Sequence, residues 1–558
     1  MAASRRWFTL VAVFLIGIFA SSYAEKAPYT SFARNATSAP AAEYYDYIIV
    51  GGGTAGCALA ATLSASAKVL LLERGGVPYG NPNVTRINNF GKLLADTSSP
   101  SSPTQQFVST DGVFNHRGRV LGGSSAINAG FYSRASRRDV ADAGWDPRLV
   151  NASYEWVEAK VAFRPRVRRW QAAVRDGLLA AGVSPYRGFT YEHLQGTKIG
   201  GSTFDQSGYR HTAADLLEYA DPTKITVYLY ATVHQILFRT TPTPPGKKPK
   251  AYGVLFRDSK GISHVAYLNS GPTGTNEIII CAGVLGSPQL LMLSGIGPGH
   301  QLRDKGITVI LDQPMVGQGM SDNPMNGILI PSRRPVGVSL IEVVGTTNFG
   351  SYIEAASRIS FQTMTPSMAQ AQHLANQEGS DPYRNRTIGN VIILEKVTGP
   401  FSKGYLELQS NDPNDNPRVT FNYFKDPRDL RRCVKGMKIV KRVIESRPVS
   451  AFRYPFSTFQ SLVNLTLSIP TNQRRRHVSA SHSMRQFCVD TVMTIWHYHG
   501  GCLVDRVVDR DYRVIGVDKL RVIDGSTFKY SPGTNPQATV MMLGRYMGQR
   551  ILRERIPQ

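Results

Sequence analysis

The chain has 558 residues, 42% of them hydrophobic and 19% charged, with 51 glycines, five cysteines and a formal net charge of +24. That length predicts two connected domains rather than one, and the apolar content excludes a globally disordered chain. No Cys-x-x-Cys or histidine cluster marks a metal site.

Residues 1–24 read as a signal peptide: Arg5 and Arg6 precede an apolar run, Trp7 to Ala20, too short for a comfortable membrane span, and Ser22-Tyr23-Ala24 supplies small residues for cleavage. This predicts a secreted, extracellular or cell-wall protein. Asn-x-Ser/Thr triplets at Asn35, Asn83, Asn151, Asn385 and Asn464 agree with that route. Residues 25–42 are polar and predict a flexible lead-in.

Asp46 to Val50 is a compact apolar strand, Gly51–Gly56 a turn, and Cys57 to Ser66 a helix of small residues. Lys68 to Leu72 is a second buried strand ending at Glu73, which completes a βαβ unit. Gly51-x-Gly53-x-x-Gly56 permits a tight turn and close approach of a pyrophosphate to the helix N-terminus. Glu73, 22 residues after Gly51, is placed to accept hydrogen bonds from a ribose. These features together predict a dinucleotide site.

Residues 95–105 form a Ser/Pro-rich loop. Residues 225–239, 251–257 and 264–268 predict strands of a small antiparallel sheet, with a hairpin loop at the Pro/Lys-rich 241–250. Glu277 to Ile280 is another buried strand. From about residue 326 to 484 glycines thin out and strand-like and helical pieces alternate, as in a substrate-covering domain; the last 70 residues return to the glycine-rich texture.

Five cysteines cannot all pair. Cys57, Cys281 and Cys502 read as small buried residues, leaving Cys433 and Cys488, which an oxidising compartment would let pair. The basic clusters, Arg164/Arg166/Arg168/Arg169, Lys247/Lys248/Lys250 and Arg474/Arg475/Arg476, read first as solvated loops and second as attraction to an anionic cell-wall surface, with no nucleic acid expected.

The chemistry lies near the C-terminus, in Trp496-His497-Tyr498-His499-Gly500-Gly501-Cys502 and, 33 residues beyond Cys502, Asn535-Pro536. An imidazole can take a proton from a hydroxyl near neutral pH. An amide beside it can orient the resulting oxygen without competing for the proton. His499 reads as structural.

Gly118 to Asn128, Gly283 to Gly297, Arg521 to Ser526 and Asn535 to Ala538 occur in an order that resembles the glucose–methanol–choline family of flavin oxidoreductases from about residue 43 to the C-terminus. Val284 stands where that family has a smaller or hydroxylated residue. The resemblance implies an α/β fold: a Rossmann-like FAD-binding domain (43–150, 200–325 and 485–558) and an α+β substrate domain on an antiparallel sheet (151–199 and 326–484). It also implies FAD, held non-covalently because Ile127 occupies the place of the histidine that some members attach to it.

The implied cofactor contacts begin with Gly51, Gly53, Thr54, Ala55 and Gly56 in the glycine loop, then Glu73 and Arg74. Val120, Gly122, Ser124, Asn128, Ala129, Gly130 and Phe131 follow in the first signature. Val233, Trp496, His497, Asp524, Gly525, Pro536 and Gln537 complete the set. His497 aligns with the family's catalytic base and Asn535 with the second active-site position.

Within the family the chain looks closest to the plant group of HOTHEAD-type proteins and mandelonitrile lyases, whose disulfide a Cys433–Cys488 bridge resembles. The lyases' site features depart here: Ile495 stands in place of a tyrosine, Asn535 in place of a second histidine, and no cysteine occurs between Cys281 and Cys433. The expectation is therefore oxidation of an alcohol, a small-molecule or lipid-like substrate. The HOTHEAD resemblance implies long-chain ω-hydroxy fatty acids on the way to cutin precursors. The alternatives are a hydroxynitrile lyase and a catalytically idle FAD-containing cell-wall protein.

Overall fold

The structure, a computed structural model, describes residues 28–97, 99, 101–239, 248–270, 275–358 and 389–555. The expected signal peptide, most of the 241–250 loop and the Asn385 triplet lie outside the described residues.

The first unit is built on a six-stranded parallel sheet in the order 33–35, 225–229, 69–73, 47–50, 277–280, 520–522. Every residue of Tyr47–Val50 and Val69–Glu73 is buried, which explains the unbroken apolar runs: such strands are covered on both faces. Ile48, Val50, Leu70 and Leu72 enter one core, shared with Val254, Phe256 and Ala266 of a four-stranded sheet. Tyr47, Ile49, Val69 and Leu71 enter the other core, with the helices α1 (Gly56–Leu63) and α2 (Pro147–Val161).

Two expectations are corrected. Residues 225–239 are not one antiparallel strand: Ile225–Leu229 joins the parallel sheet and Thr232–Arg239 the antiparallel one, the chain turning at Tyr230, whose φ is 56°. The predicted lead-in is largely structured. Ala33–Asn35 adds an edge strand beside Val227–Leu229, Ala42–Tyr45 pairs with Val265–Leu268, and Tyr29, Phe32 and Ala36 are buried. Three apolar anchors in a polar stretch suffice because a ready-made sheet edge accepts them.

The second unit is a seven-stranded sheet in the order 493–494, 324–332, 389–397, 351–357, 343–346, 196–199, 186–189, antiparallel except for the last pair. The helix α3 (Gly283–Leu293) belongs to the first unit. The helix α4 (Pro427–Glu445) buries Leu430, Cys433, Met437, Val440 and Ile444 at the 3–4 residue spacing of one helical face. Cys433 is disulfide-bonded to Cys488, tying α4 to the segment that leads into the histidine motif. The final helix, α5 (Gln537–Glu554), returns to the first unit, where Tyr546 and Met547 share a core with Tyr154 and Val157 of α2.

Candidate active site between the two sheets

The histidine motif bridges the two units. Met493-Thr494 pairs with Pro324-Met325 at the edge of the second sheet, and Cys502 N–H donates to Ser526 O at 2.9 Å in the first. Trp496 lies between in the left-handed region at φ 59°, a conformation that costs a non-glycine residue on the order of 1–3 kcal/mol. It is held there by bonds on both sides: Trp496 N–H donates to Thr494 Oγ1 at 2.7 Å and His497 N–H to Asp322 Oδ1 at 2.8 Å. Tyr423 Oη donates to the other Asp322 oxygen at 2.6 Å, and burial pushes that carboxyl up to about 7.

His497 is buried. Its Nε2 lies 3.4 Å from Asn535 Nδ2, and its Nδ1 has no protein partner. Asn535 Oδ1 accepts from Lys396 Nζ at 3.2 Å. An ammonium has only donors, so Lys396 fixes which end of the amide faces inward: the NH2 points at His497, and His497 Nε2 is the lone-pair nitrogen. Lys396 is itself almost fully buried, paired with Glu354 at 2.8 Å and donating to Thr534 O at 2.7 Å. Burial, then the Lys396 charge, then His499, hold His497 well below the ordinary imidazole range, so the ring rests in its neutral form. His499 donates through Nδ1 to His497 O at 2.9 Å and faces Lys403 Nζ at 3.4 Å through Nε2; these contacts give it a structural part.

A single cavity runs from His497 and Asn535 to the glycine loop. Of the residues predicted to hold a cofactor, Gly51, Gly53, Thr54, Ala55, Glu73, Arg74, Ser124, Asn128, Ala129, Gly130, Phe131, Val233, Trp496, His497, Asp524, Gly525, Pro536 and Gln537 line it. Gly56, Val120 and Gly122 do not. An added Cβ at Gly56 would lie 2.0 Å from Gly51 O, so that glycine closes the turn. Val120 packs with Val84, Leu93, Ala126 and Ile127. Gly122, at φ 90°, accepts from Ser125 Oγ at 2.6 Å and shapes the signature loop.

Hydrogen bonds between distant segments assemble this wall. Asn128 Nδ2 donates to Gln537 Oε1 at 2.8 Å, and Gln537 Nε2 to Phe131 O at 2.7 Å. Asp524 accepts from Gly283 N–H at 2.9 Å and Ser526 N–H at 2.8 Å. Glu73 accepts from Gly75 N–H at 2.7 Å, and burial raises its carboxyl above the usual range.

The cavity fits a large, partly anionic cofactor. The α1 and α5 N-termini, at Ala55 and Pro536, carry no side-chain cap, which leaves bare N–H groups for phosphate or ring oxygens. A Cβ at Gly283 would meet nothing within 4 Å, and at Gly53 nothing nearer than 3.8 Å. Trp496 Nε1 and Arg117 Nη2 are buried donors without protein partners, and both residues line the same space.

Sequence reasoning missed Lys396, Glu354, Asp322 and the apolar wall of Met325, Ile341, Ala356, Ile392 and Leu394 that Ile495 joins. The one available hint was Glu395-Lys396 in an otherwise apolar strand.

The sequence model of the GMC oxidoreductase family matches residues 45–325 and 400–544. The chain is 50% identical to Protein HOTHEAD of Arabidopsis thaliana, over 92% of this chain and 89% of that protein. It is 41% identical to (R)-mandelonitrile lyase 1 of Prunus serotina, over 94% and 90%. It is 40% identical to Sinalpyl alcohol oxidase Nec3 of Nesocodon mauritianus, over 100% and 98%. Among solved structures, a formate oxidase superposes with TM-score 0.72 at 20% identity, covering 93% of this chain and 99% of that one.

Proposed function

The chain belongs to the GMC oxidoreductase family, whose cofactor is FAD, and from that premise we propose that it oxidises a primary alcohol to an aldehyde with His497 as base. FAD, when bound, supplies the acceptor for the hydride that leaves the carbinol carbon. The hydroxyl proton goes to His497 Nε2, so R–CH2–OH yields R–CHO, one hydride and one proton. Asn535 Nδ2–H holds the oxygen as negative charge develops on it, and Lys396 holds that amide in register. Stabilising charge that appears only in the transition state is the efficient use of such a donor. The observation that carries this reading is the ordered row Glu354–Lys396–Asn535–His497, which leaves a neutral imidazole with its lone pair facing an amide donor. The absence of a histidyl anchor at Ile127 fits non-covalent FAD.

The substrate end is walled by Met325, Ile341, Ala356, Ile392, Leu394 and Ile495. No cationic side chain stands among these six, so the body next to the carbinol is uncharged, alkyl or aryl. A long-chain ω-hydroxy fatty acid fits if its hydroxyl end enters and its carboxylate stays outside. Secretion is part of the same reading. Its support is the 1–24 pattern and the disulfide, which suits an oxidising compartment; among the described residues no helix is long and apolar enough to cross a membrane.

A cyanohydrin-cleaving activity is the second reading, favoured by the identity to the Prunus enzymes. Against it, Cys281 is the one cysteine lining the described cavity, and Ile495 presents no phenol. Incubating the FAD-loaded protein with primary alcohols and, separately, with mandelonitrile decides between them. Aldehyde formation with no cyanide release is expected; cyanide release without net oxidation would replace the first reading with the second.

A further inference from the structure

The outer face of α4 carries a row of cations that the active site does not use. Arg428, Arg431, Lys435, Lys438 and Arg442 are exposed and follow one another at three- and four-residue steps along one helical face. The row is about 21 Å long at the helical rise, with neighbouring side chains about 5–6 Å apart. Arg431, Arg432, Lys435, Lys438 and Arg442 form no close salt bridge among the described residues; Arg428 is paired with Asp426 at 2.7 Å, and Arg431 adds only a more distant attraction to the same carboxylate. Asp429, on the same helix, is turned inward to accept from the N–H groups of Phe401 and Ser402 and from Ser402 Oγ.

At its N-terminal end the row sinks into a cavity of about 240 Å³ lined by Phe349, Phe401, Arg428, Arg431, Arg432 and Lys435. Three separate segments build this cup. Arg432 donates to Thr398 O at 2.9 Å, lies 4.5 Å from the Phe401 ring centre, and rests on Gly350, where a Cβ would come within 2.9 Å of its Cζ. Arg428 also lies over this ring, 3.7 Å from the Phe401 centre, and Lys435 Nζ lies 5.9 Å from that of Phe349. The guanidinium of Arg432 is thus held in place and half-buried, with no salt bridge to offset its charge.

We propose that this cup and the cation row running from it bind an acidic polysaccharide that carries one carboxylate per sugar ring. A single small anion would use the cup but not the cations at Lys438 and Arg442. A repeating chain of rings would place charges at a spacing of the same order as the row and continue along it. The row offers no exposed apolar side chain to insert into a lipid layer, and it is one straight file of charges rather than the two flanking files that a duplex presents. Such binding holds the enzyme on a carboxylated matrix with its cavity, on another face of the second sheet, free to work. The proposal is independent of the reaction assigned above.

The test uses the full FAD-loaded chain on immobilised polygalacturonate across a salt series. Arg431→Gln/Arg432→Gln/Lys435→Gln is compared with wild type. Arg431→Gln/Lys435→Gln/Lys438→Gln, which spares the packed Arg432, serves as a second variant should the first fail to fold. Arg137→Gln/Arg138→Gln/Arg148→Gln, exposed cations on other helices, is the equal-charge control. The expected result is at least a tenfold weaker interaction for the α4 variants, with the slope of log affinity against log salt reduced by about two, and less than a twofold change for the control. Equal losses in both sets would reduce the effect to diffuse net charge and overturn the site. Tighter retention of wild type on duplex DNA or on phosphatidylserine vesicles than on polygalacturonate at the same ionic strength would overturn the partner.

Discussion

Replacing the buried ion pair by a neutral pair of similar shape, Glu354→Gln with Lys396→Met, tests the row of contacts behind the base. The double change is chosen because Lys396→Met alone would strand a buried carboxylate, which costs about 3–5 kcal/mol and confuses stability with catalysis. Lys396 Nζ is 3.2 Å from Asn535 Oδ1, and Asn535 Nδ2 is 3.4 Å from His497 Nε2. The charge therefore stands roughly 7–8 Å from the ring nitrogen, worth about 2 kcal/mol at an effective dielectric constant near 20. Glu354, 2.8 Å further on, cancels most of this and leaves about 0.6 kcal/mol.

The sign follows from the charge. Lys396 disfavours the imidazolium, so removing the pair raises the His497 pKa and moves the acid limb of kcat/KM to higher pH. The larger effect is geometric. Without Lys396, Asn535 is free to turn its oxygen toward the substrate oxygen, and a hydrogen bond to a charged group worth about 1.5–3 kcal/mol is lost. The expected fall in kcat is about 10- to 100-fold, with the flavin still bound. Steady-state kinetics across pH measure both quantities. An unmoved acid limb together with an unchanged kcat would refute the positioning role of Lys396.

Three further outcomes follow from the same geometry. His497→Ala is expected to lower the rate of substrate oxidation by about 10²–10⁴-fold while FAD absorbance and stoichiometry stay those of wild type; loss of FAD with the activity would make His497 a cofactor residue instead. Gly53→Ala, where the nearest protein atoms stand 3.8 Å from the new methyl, is expected to leave the thermal midpoint of the FAD-free protein unchanged but weaken FAD at least tenfold by titration. Cys433→Ser with Cys488→Ser opens a loop of 55 residues and is expected to remove up to about 4 kcal/mol of stability, read as a lower midpoint in denaturant; an unchanged midpoint would mean the unfolded chain is already compact there.

The parts of the site that were legible in the sequence are those fixed by local backbone demands. Gly51 and Gly56 announce a turn because only glycine tolerates its contacts, Gly53 keeps the space beside it open, and Glu73 sits at a strand end whose position two apolar runs define. The His497/Asn535 pair was legible because the chemistry restricts residue type. Lys396 and Glu354 were not, for a geometric reason. Strand pairing sets Lys396 opposite Tyr352 and Glu354 opposite Leu394, which makes the two charges diagonal neighbours on one face; neither strand alone reveals that register. Glu395, adjacent in sequence, points to the other face and accepts from Ser351 Oγ at 2.5 Å. The same limit hid the edge strand Ala33–Asn35, whose order comes from a partner nearly 200 residues away, and the break at Tyr230, which depends on Gly75 O accepting its N–H at 3.1 Å. The α4 cation row escaped notice because apolar residues interrupt it in sequence and only the helical period lines it up.

The claim that His497 serves alcohol oxidation is tested most directly by mixing the oxidised, FAD-loaded protein anaerobically with a series of primary alcohols, long-chain ω-hydroxy acids among them, and following the flavin absorption band. The account predicts that the band bleaches with at least one alcohol at a rate that falls when the carbinol hydrogens are deuterated, and that His497→Ala slows the bleaching by about 10²–10⁴-fold. A band that stays oxidised with every alcohol, while mandelonitrile releases cyanide, would contradict it.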